Sequence, residues 1–135
     1  MLDKTPRGIR NNNPGNIRRT DITWRGELVG GDPDFEIFDT PEHGIAAVGT
    51  LLRAYQDRHK ICTIRQAITR YAPDSENDTL AYVTTVCKRT GIAPDAKIDF
   101  HDRALLVPIV KAIIWHENGI MPYTDAQFSA AFPKL

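Results

Sequence analysis

The sequence has few of the features that would point directly to a function. It carries only two cysteines, Cys62 and Cys87, which lack the spacing of zinc ligands. No apolar run is long enough to cross a bilayer, and the first ten residues lack the hydrophobic stretch of a secretion signal. We therefore predict no metal site and no membrane insertion. We interpret both cysteines as small core residues on helix faces, with a disulfide between them as the alternative.

An excess of charge is also lacking, because 17 basic residues balance 17 acidic ones. A nucleic-acid partner is normally bound by neutralising its phosphates, so this balance argues against one. The sequence contains no P-loop, no dinucleotide fingerprint and no G-x-S-x-G motif, and we predict no cofactor. A length of 135 residues predicts one domain over residues 1–135, and an uncharged polymer such as a glycan is compatible with its composition.

The first forty residues are predicted to form turns and a small β-hairpin. The segment RGIRNNNPGNIRRT at residues 7–20 has no helical period, and its Asn-Pro-Gly chemistry is typical of turns because Asn and Gly tolerate positive φ. Residues 22–24, 27–29 and 35–38 are short, β-branched or aromatic segments. They predict a hairpin that is too small to be stable unless it packs on helices.

From residue 40 onward, apolar residues recur at three- and four-residue spacing behind good N-caps, which predicts five helices. The predicted caps are Thr40, Thr63, Asp78 or Thr79, Asp99, and Thr124. The fourth helix is apolar on more than one side and should be central. The predicted fold class is therefore mainly α (α+β), a helical domain with one small β-hairpin.

Glu117 is the strongest candidate for chemistry. It falls in the last turn of the predicted central helix, close to Trp115 and just before Gly119. The negative end of a helix dipole and burial against an indole ring both favour the protonated form of a carboxyl group. A general acid must carry its proton at the working pH. The alternative is an exposed carboxylate that is paired with an Arg or Lys.

Amide and aromatic side chains are candidates for contacts with a sugar. Asn13 and Asn16 lie in the Asn-rich loop, where their amides suit hydroxyl and acetamido groups; alternatively, they satisfy only their own backbone. The aromatic candidates are Trp24, Tyr71, Tyr82 and Tyr123. Aromatic residues at helical spacing more often belong to the core, and that interpretation stays open for each of them.

Together these motifs resemble a known family. RGIRNNNPGNIR at residues 7–18, FEIFDTPEHG at 35–44, YAP at 71–73, ENDT at 76–79 and WHENG at 115–119 follow the order found in bacteriophage virion-associated and prophage-encoded proteins. That family is described as structural or lysis proteins with a lysozyme-like, transglycosylase-like fold. The resemblance covers most of the chain and implies the same fold here.

A second resemblance concerns the order of the chain. GNIR at residues 15–18, Trp-x-Gly and Phe-x-Ile-Phe-Asp-x-Pro are similar to cell-wall glucosaminidases, in which the catalytic Glu precedes this block. Here WHENG, followed by Pro122 and Tyr123, is similar to the His-Glu-Gly start of phage lysozymes but lies at the other end. The resemblance therefore implies a circularly permuted lysozyme-like domain. Its acid-bearing helix would be last in sequence and central in space.

The implied activity is cleavage of the β-1,4 bond between N-acetylmuramic acid and N-acetylglucosamine in bacterial peptidoglycan. Glu117 would protonate the leaving oxygen, while the Asn loop, Trp24, Tyr82 and Tyr123 would hold the sugars. A second carboxylate is not identified; Asp21, Glu36, Asp39 and Glu76 all stay open. A single acid fits a lytic transglycosylase better than a muramidase that hydrolyses the bond.

A non-catalytic protein is the alternative implied by the same resemblance. A lysozyme-like fold could bind cell wall or other virion proteins without cutting, because fold does not fix function. The expected location is the phage particle, or the host cytoplasm with later delivery to the periplasm and cell wall, since no signal peptide is evident.

Overall fold

The computed structural model describes residues 4–133, which form six helices and one two-stranded sheet. In chain order these are α1 (Arg7–Arg10), β1 (Glu27–Leu28), β2 (Ile37–Phe38), α2 (Pro41–His59), α3 (Ile64–Tyr71), α4 (Thr79–Thr90), α5 (Arg103–Asn118) and α6 (Asp125–Ala131). The predicted class, mainly helical with one small antiparallel hairpin, is confirmed.

Most helix ends lie where the capping chemistry predicted them. Side-chain oxygens of four predicted caps accept hydrogen bonds from first-turn amides: Thr40, Thr63, Asp78 and Thr124. Each such bond satisfies an amide without a helical partner and typically contributes about 1 kcal/mol. At the other end, α4 and α5 terminate at Gly91 and Gly119, whose φ angles of 74° and 71° lie in the left-handed region that favours glycine.

The start of α5 corrects one predicted cap. Asp102, rather than Asp99, caps the helix and accepts a hydrogen bond from the amide of Ala104 at 3.0 Å. Asp99 accepts hydrogen bonds from the Gln56 side chain at 2.8 Å and from the amide of His101 at 2.9 Å. Both aspartates thus accept a bond from an amide two residues on, but the helix begins after Asp102, and Asp99 is also bound by Gln56 of α2.

Three other local expectations are corrected. Residues 7–10 form a single helical turn, which is too short to show a periodic pattern. Residues 22–24 form no strand. Cys62 lies in the loop between α2 and α3 instead of on a helix face, whereas Cys87 lies on α4, and both thiols are free.

The hairpin is short and is anchored through its turn. β1 and β2 pair antiparallel, with Glu27 opposite Phe38. Asp32 in the connecting turn is only 6% exposed and accepts hydrogen bonds from Arg7 Nε at 2.7 Å and Asn11 Nδ2 at 2.9 Å. The guanidinium group of Arg7 holds the pKa of Asp32 well below its ordinary value. The hairpin is thereby fixed to the N-terminal segment.

Helix α5 is central, as its apolar sequence predicted. Leu106, Ile109 and Ile113 are completely buried, and the helix packs against α1, α2 and α4. Its last turn therefore points at the N-terminal loop. Within residues 4–133, no helix has both the length and the apolar character needed to span a bilayer.

Candidate active site

A cleft of about 400 Å³ lies among the N-terminal loop, the hairpin and helices α2 and α3. This volume is within the usual range of small-molecule sites. Its walls carry the aromatic side chains of Trp24, Phe35, Tyr55 and Tyr71 and the charged side chains of Arg18, Arg70, Glu76 and Glu117. The rings offer apolar faces and the polar groups offer hydrogen bonds, a combination that suits a carbohydrate.

Glu117 borders this cleft and is held through both of its oxygens. Oε1 accepts a hydrogen bond from Asn16 Nδ2 and Oε2 accepts one from the Tyr82 hydroxyl, each at 2.8 Å. Asn16 is separated from Glu117 by 101 positions in the chain. The expected meeting of the last long helix with the first loop is confirmed by this contact.

Tyr82 is itself fixed by its neighbours. It is 1% exposed, and its ring packs edge-on against Tyr71 with ring centroids 6.5 Å apart. The centroid of the His116 ring lies 3.9 Å from that of the Tyr82 ring. Burial, together with the neighbouring Tyr71 and Glu117, raises the pKa of Tyr82 well above its ordinary value. Burial also lowers the pKa of His116, so its ring is neutral near pH 7. The phenol therefore keeps its proton and its position beside Glu117.

The Asn-rich loop is shaped to lie on the end of α5. Asn12 and Asn16 adopt left-handed φ angles of 51° and 49°, which asparagine tolerates better than most residues. A Cβ atom on Gly8 would lie 2.8 Å from the backbone carbonyl oxygen of Asn13 as well as close to the side-chain oxygens of Asn16 and Asn118, so a larger residue would displace the loop. Asn118 Nδ2 donates to the Pro14 carbonyl at 2.7 Å and joins the helix end to the loop.

Asn13 stabilises the loop from inside. It is completely buried, its Nδ2 donates to the carbonyls of Ile17 and Glu36 at 2.9 Å, and its Oδ1 accepts from the Ile17 amide at 3.0 Å. This corrects the expectation that Asn13 contacts a sugar, because a buried amide with both ends engaged offers no atom to a ligand. The alternative interpretation, backbone satisfaction, describes it instead.

The predicted aromatic contacts are placed differently from one another. Trp24 lines the cleft, whereas Tyr82 is buried and reaches Glu117 only through its hydroxyl. Tyr123 is not part of the cleft wall; it packs on Phe128 with ring centroids 6.4 Å apart. Its enclosed hydroxyl has no hydrogen-bond partner among residues 4–133, and burial raises its pKa to about 12. In this structure Tyr82 therefore positions Glu117 instead of contacting a sugar, and Tyr123 lies outside the site.

Trp115 does not contribute to the cleft either. Its ring lies 4.1 Å below the Arg89 guanidinium, and it borders a separate cavity of about 360 Å³ with Pro108 and Met121. Residues two positions apart on a helix face different directions, so proximity to Glu117 in sequence does not bring the two side chains together. The polar surroundings of Glu117 come from Asn16 and Tyr82 instead.

Among the four alternative carboxylates, only Glu76 lines the cleft. It is half exposed and forms an ion pair with Arg18 at 3.3 Å. Asp21 is exposed on the surface of the preceding loop. Glu117 is thus the one cleft carboxylate, within the described chain, whose two oxygens are both oriented by uncharged donors.

Glu36 and Asp39 belong to other interactions. Glu36 is 3% exposed, and burial together with the adjacent Glu27 carboxyl raises its pKa to about 7. Asp39 pairs with His43 Nδ1 at 2.6 Å, which lowers the pKa of Asp39. In the described part of the chain, no group of three or more His, Cys, Asp or Glu side chains is arranged to hold a metal ion.

Reasoning from the sequence did not identify two residues that contribute to the site. Asn118 ties α5 to the loop, and His116 packs on Tyr82. Both lie beside Glu117 in the Trp-His-Glu-Asn-Gly motif, so the motif was the available signal. Tyr71 was noted only as an aromatic candidate, but its hydroxyl donates to the Gly15 carbonyl at 2.5 Å and fixes the cleft wall.

Comparison with known proteins adds one relative. The chain matches no protein-family model. It is 37% identical over 136 aligned residues to Protein P5 of Pseudoalteromonas phage PM2, an alignment that covers 98% of this chain and 83% of that protein. The relative is a bacteriophage protein, in agreement with the phage part of the resemblance drawn from the sequence. Its name states no activity.

Proposed function

This chain belongs to the family of Protein P5 of Pseudoalteromonas phage PM2, and from that premise we propose that it cleaves peptidoglycan glycan strands as a lysozyme-like lytic transglycosylase of phage origin. Glu117 is the proposed acid and base. The observation that carries the proposal is the placement of this carboxyl at a sugar-sized cleft, oriented by Asn16 and Tyr82 from two other parts of the chain.

The proposed reaction needs one carboxyl group. Protonated Glu117 donates its proton to the glycosidic oxygen as the bond from that oxygen to C1 of N-acetylmuramic acid breaks. The resulting carboxylate takes the proton of the C6 hydroxyl of the same sugar while that oxygen bonds to C1. A 1,6-anhydro ring closes, the second sugar leaves with its new hydroxyl, and Glu117 is protonated again.

The partners of Glu117 suit both of its protonation states. A phenol can donate to a carboxylate and can accept from a carboxylic acid, so the Tyr82 hydroxyl can stay in place throughout the cycle. Glu76, the other carboxylate of the cleft wall, is half exposed and paired with Arg18, whereas the proposed cycle needs only Glu117. These features support the transglycosylase over a two-carboxylate mechanism.

The experiment is digestion of purified peptidoglycan followed by mass spectrometry of the soluble products. Wild type is expected to release muropeptides with 1,6-anhydro ends, and Glu117→Gln is expected to release none while unfolding at the same temperature. Glu76→Gln is the matched carboxylate control and should retain the reaction. Reducing ends in place of anhydro ends would make the enzyme a hydrolase, and binding without any release would assign a non-catalytic wall-binding role.

A further inference from the structure

The charges on the cleft wall are unevenly compensated. Arg18 is paired with Glu76 at 3.3 Å, and Glu117 is engaged by Asn16 and Tyr82. Arg70 lines the same cleft but forms no ion pair with any residue in the range 4–133. Its guanidinium group is exposed and is the cleft cation left open to an anionic ligand.

Arg70 is presented by a fixed wall. It lies in the last turn of α3, and its guanidinium carbon is 5.4 Å from the centroid of the Tyr55 ring, a cation–π contact. The next residue, Tyr71, is fixed by its hydrogen bond to the Gly15 carbonyl at 2.5 Å. The position of the α3 end relative to the Asn loop is thereby set before any ligand binds.

Tyr55 supports the guanidinium group from the cleft wall. Both residues line the cleft, and the Tyr55 ring lies against the guanidinium in the cation–π contact. A planar fork of N–H donors that stacks on an aromatic ring is chemistry that suits a carboxylate.

We propose that Arg70, supported by Tyr55, forms a subsite for the free lactyl carboxylate of glycan strands from which the stem peptides have been removed. This inference rests on the proposed function and adds to it a preference for peptide-free strands. In strands that keep their stem peptides, the same carboxyl group is an amide and carries no charge. Arg70 is a specificity-determining residue in this arrangement and takes no part in bond cleavage.

A purely structural role for Arg70 predicts a different result for its lysine and glutamine variants. A cation in the last turn of a helix stabilises it through the helix dipole, and lysine supplies the same charge. Lysine lacks the planar fork and stacks less well on an aromatic ring. Comparing Arg70→Lys with Arg70→Gln therefore separates charge at the helix end from recognition of a carboxylate.

The experiment measures binding of two matched glycan strands by calorimetry in the Glu117→Gln background, so that cleavage does not interfere. One strand is peptidoglycan freed of stem peptides by an amidase, which leaves a free lactyl carboxylate. The other is the same strand with those carboxylates converted to methylamides. We expect the parent to prefer the carboxylate strand by about 10-fold or more, Arg70→Gln to erase the preference, and Arg70→Lys to keep only part of it.

Arg58→Gln is the matched control, because Arg58 is an exposed arginine in the last turn of α2 that does not line the cleft. It should leave the preference unchanged. If Arg70→Gln weakens the binding of both strands equally, or weakens the binding of neither, the proposed subsite is refuted. If wild type releases no sugar product but the Arg70-dependent preference is measured, the proposed cleavage fails while the carboxylate subsite stands.

Discussion

At the scale of single residues, the site depends on how one carboxyl group is oriented. Glu117 could rotate freely at a helix end, but Asn16 and Tyr82 each hold one of its oxygens at 2.8 Å. Preorganised partners of this kind reduce the reorganisation needed during a reaction. Because the Tyr82 ring is buried and packed against Tyr71, its hydroxyl has little freedom of its own.

Tyr82→Phe tests this orientation directly. The ring and its packing are kept while the hydrogen bond to Glu117 is removed, and a bond to a charged group contributes about 1.5–3 kcal/mol. If that energy is lost in the transition state, kcat on peptidoglycan should fall by about 10- to 100-fold with little change in KM. Steady-state release of muropeptides measures both constants.

The matched control is Tyr123→Phe. The Tyr123 hydroxyl is buried and has no hydrogen-bond partner among residues 4–133, and its ring lies outside the cleft wall. Its loss should leave kcat and KM unchanged. A Tyr82→Phe enzyme as active as this control would show that the Glu117 contact has no role in the reaction.

At the scale of secondary-structure elements, the hairpin carries an unusual carboxyl pair. Glu36 on the approach to β2 is 3% exposed and lies beside Glu27 of β1. Two carboxyl groups can share a hydrogen bond only while one of them is protonated. The packing of the hairpin is therefore coupled to pH.

The expected pH dependence follows from the pKa of Glu36, which is raised from 4.5 to about 7 by burial and by Glu27. The folded state then binds more protons than the unfolded chain, so the free energy of unfolding falls as pH rises from about 4.5 to 7. Glu36→Gln removes this loss. The variant should match wild type near pH 4.5 and exceed it at pH 8 by up to roughly 3 kcal/mol.

Urea unfolding followed by circular dichroism at several pH values measures this difference. Asp21→Asn removes an exposed carboxyl from the neighbouring loop and should reproduce the wild-type curve. Parallel pH curves for wild type and Glu36→Gln would contradict the assignment of the raised pKa to this pair.

At the scale of the whole molecule, the site forms where the N-terminal loop meets the end of α5. Asn118 at the end of α5 donates to the Pro14 carbonyl, 104 positions away, and to the Ile114 carbonyl of its own helix. The Asn loop also binds the hairpin, because Asn13 Nδ2 donates to the Glu36 carbonyl and Asn11 Nδ2 donates to Asp32. The cleft is therefore formed by tertiary contacts, because it depends on the docking of the loop on α5.

Asn118→Ala is expected to loosen this docking. The Pro14 carbonyl would lose its donor at 2.7 Å, and leaving a buried acceptor unsatisfied costs about 1–3 kcal/mol. The variant should unfold at a lower urea concentration and lose activity in proportion to the displacement of Asn16. Thr84→Ala, an exposed substitution on α4, is the control and should change neither property. Unchanged stability and activity in Asn118→Ala would show that the loop is held without this bond.

The helices could be predicted because their signals are local. Caps at Thr40, Thr63 and Thr124 lie within a turn of the amides that they satisfy, so each is visible in a short window of sequence. The cap of α5 was predicted at Asp99 because Asp99 and Asp102 are equally good caps by sequence; in the fold Asp102 caps the helix, and Asp99 binds Gln56 of α2. The circular permutation implied by the resemblance stays a prediction.

The mainly helical class, the ends of most helices, the turn chemistry of the Asn loop and the candidacy of Glu117 all follow from local patterns in the sequence. The orientation of this carboxyl by Asn16 and Tyr82, the burial of Asn13 and the placement of Trp115 at another cavity follow from the packing of the elements instead. The reason is range: caps and periodicity act over a few residues, whereas the contacts of Glu117 join segments 35 and 101 positions away. Such contacts depend on how the helices pack against one another, which local patterns do not encode.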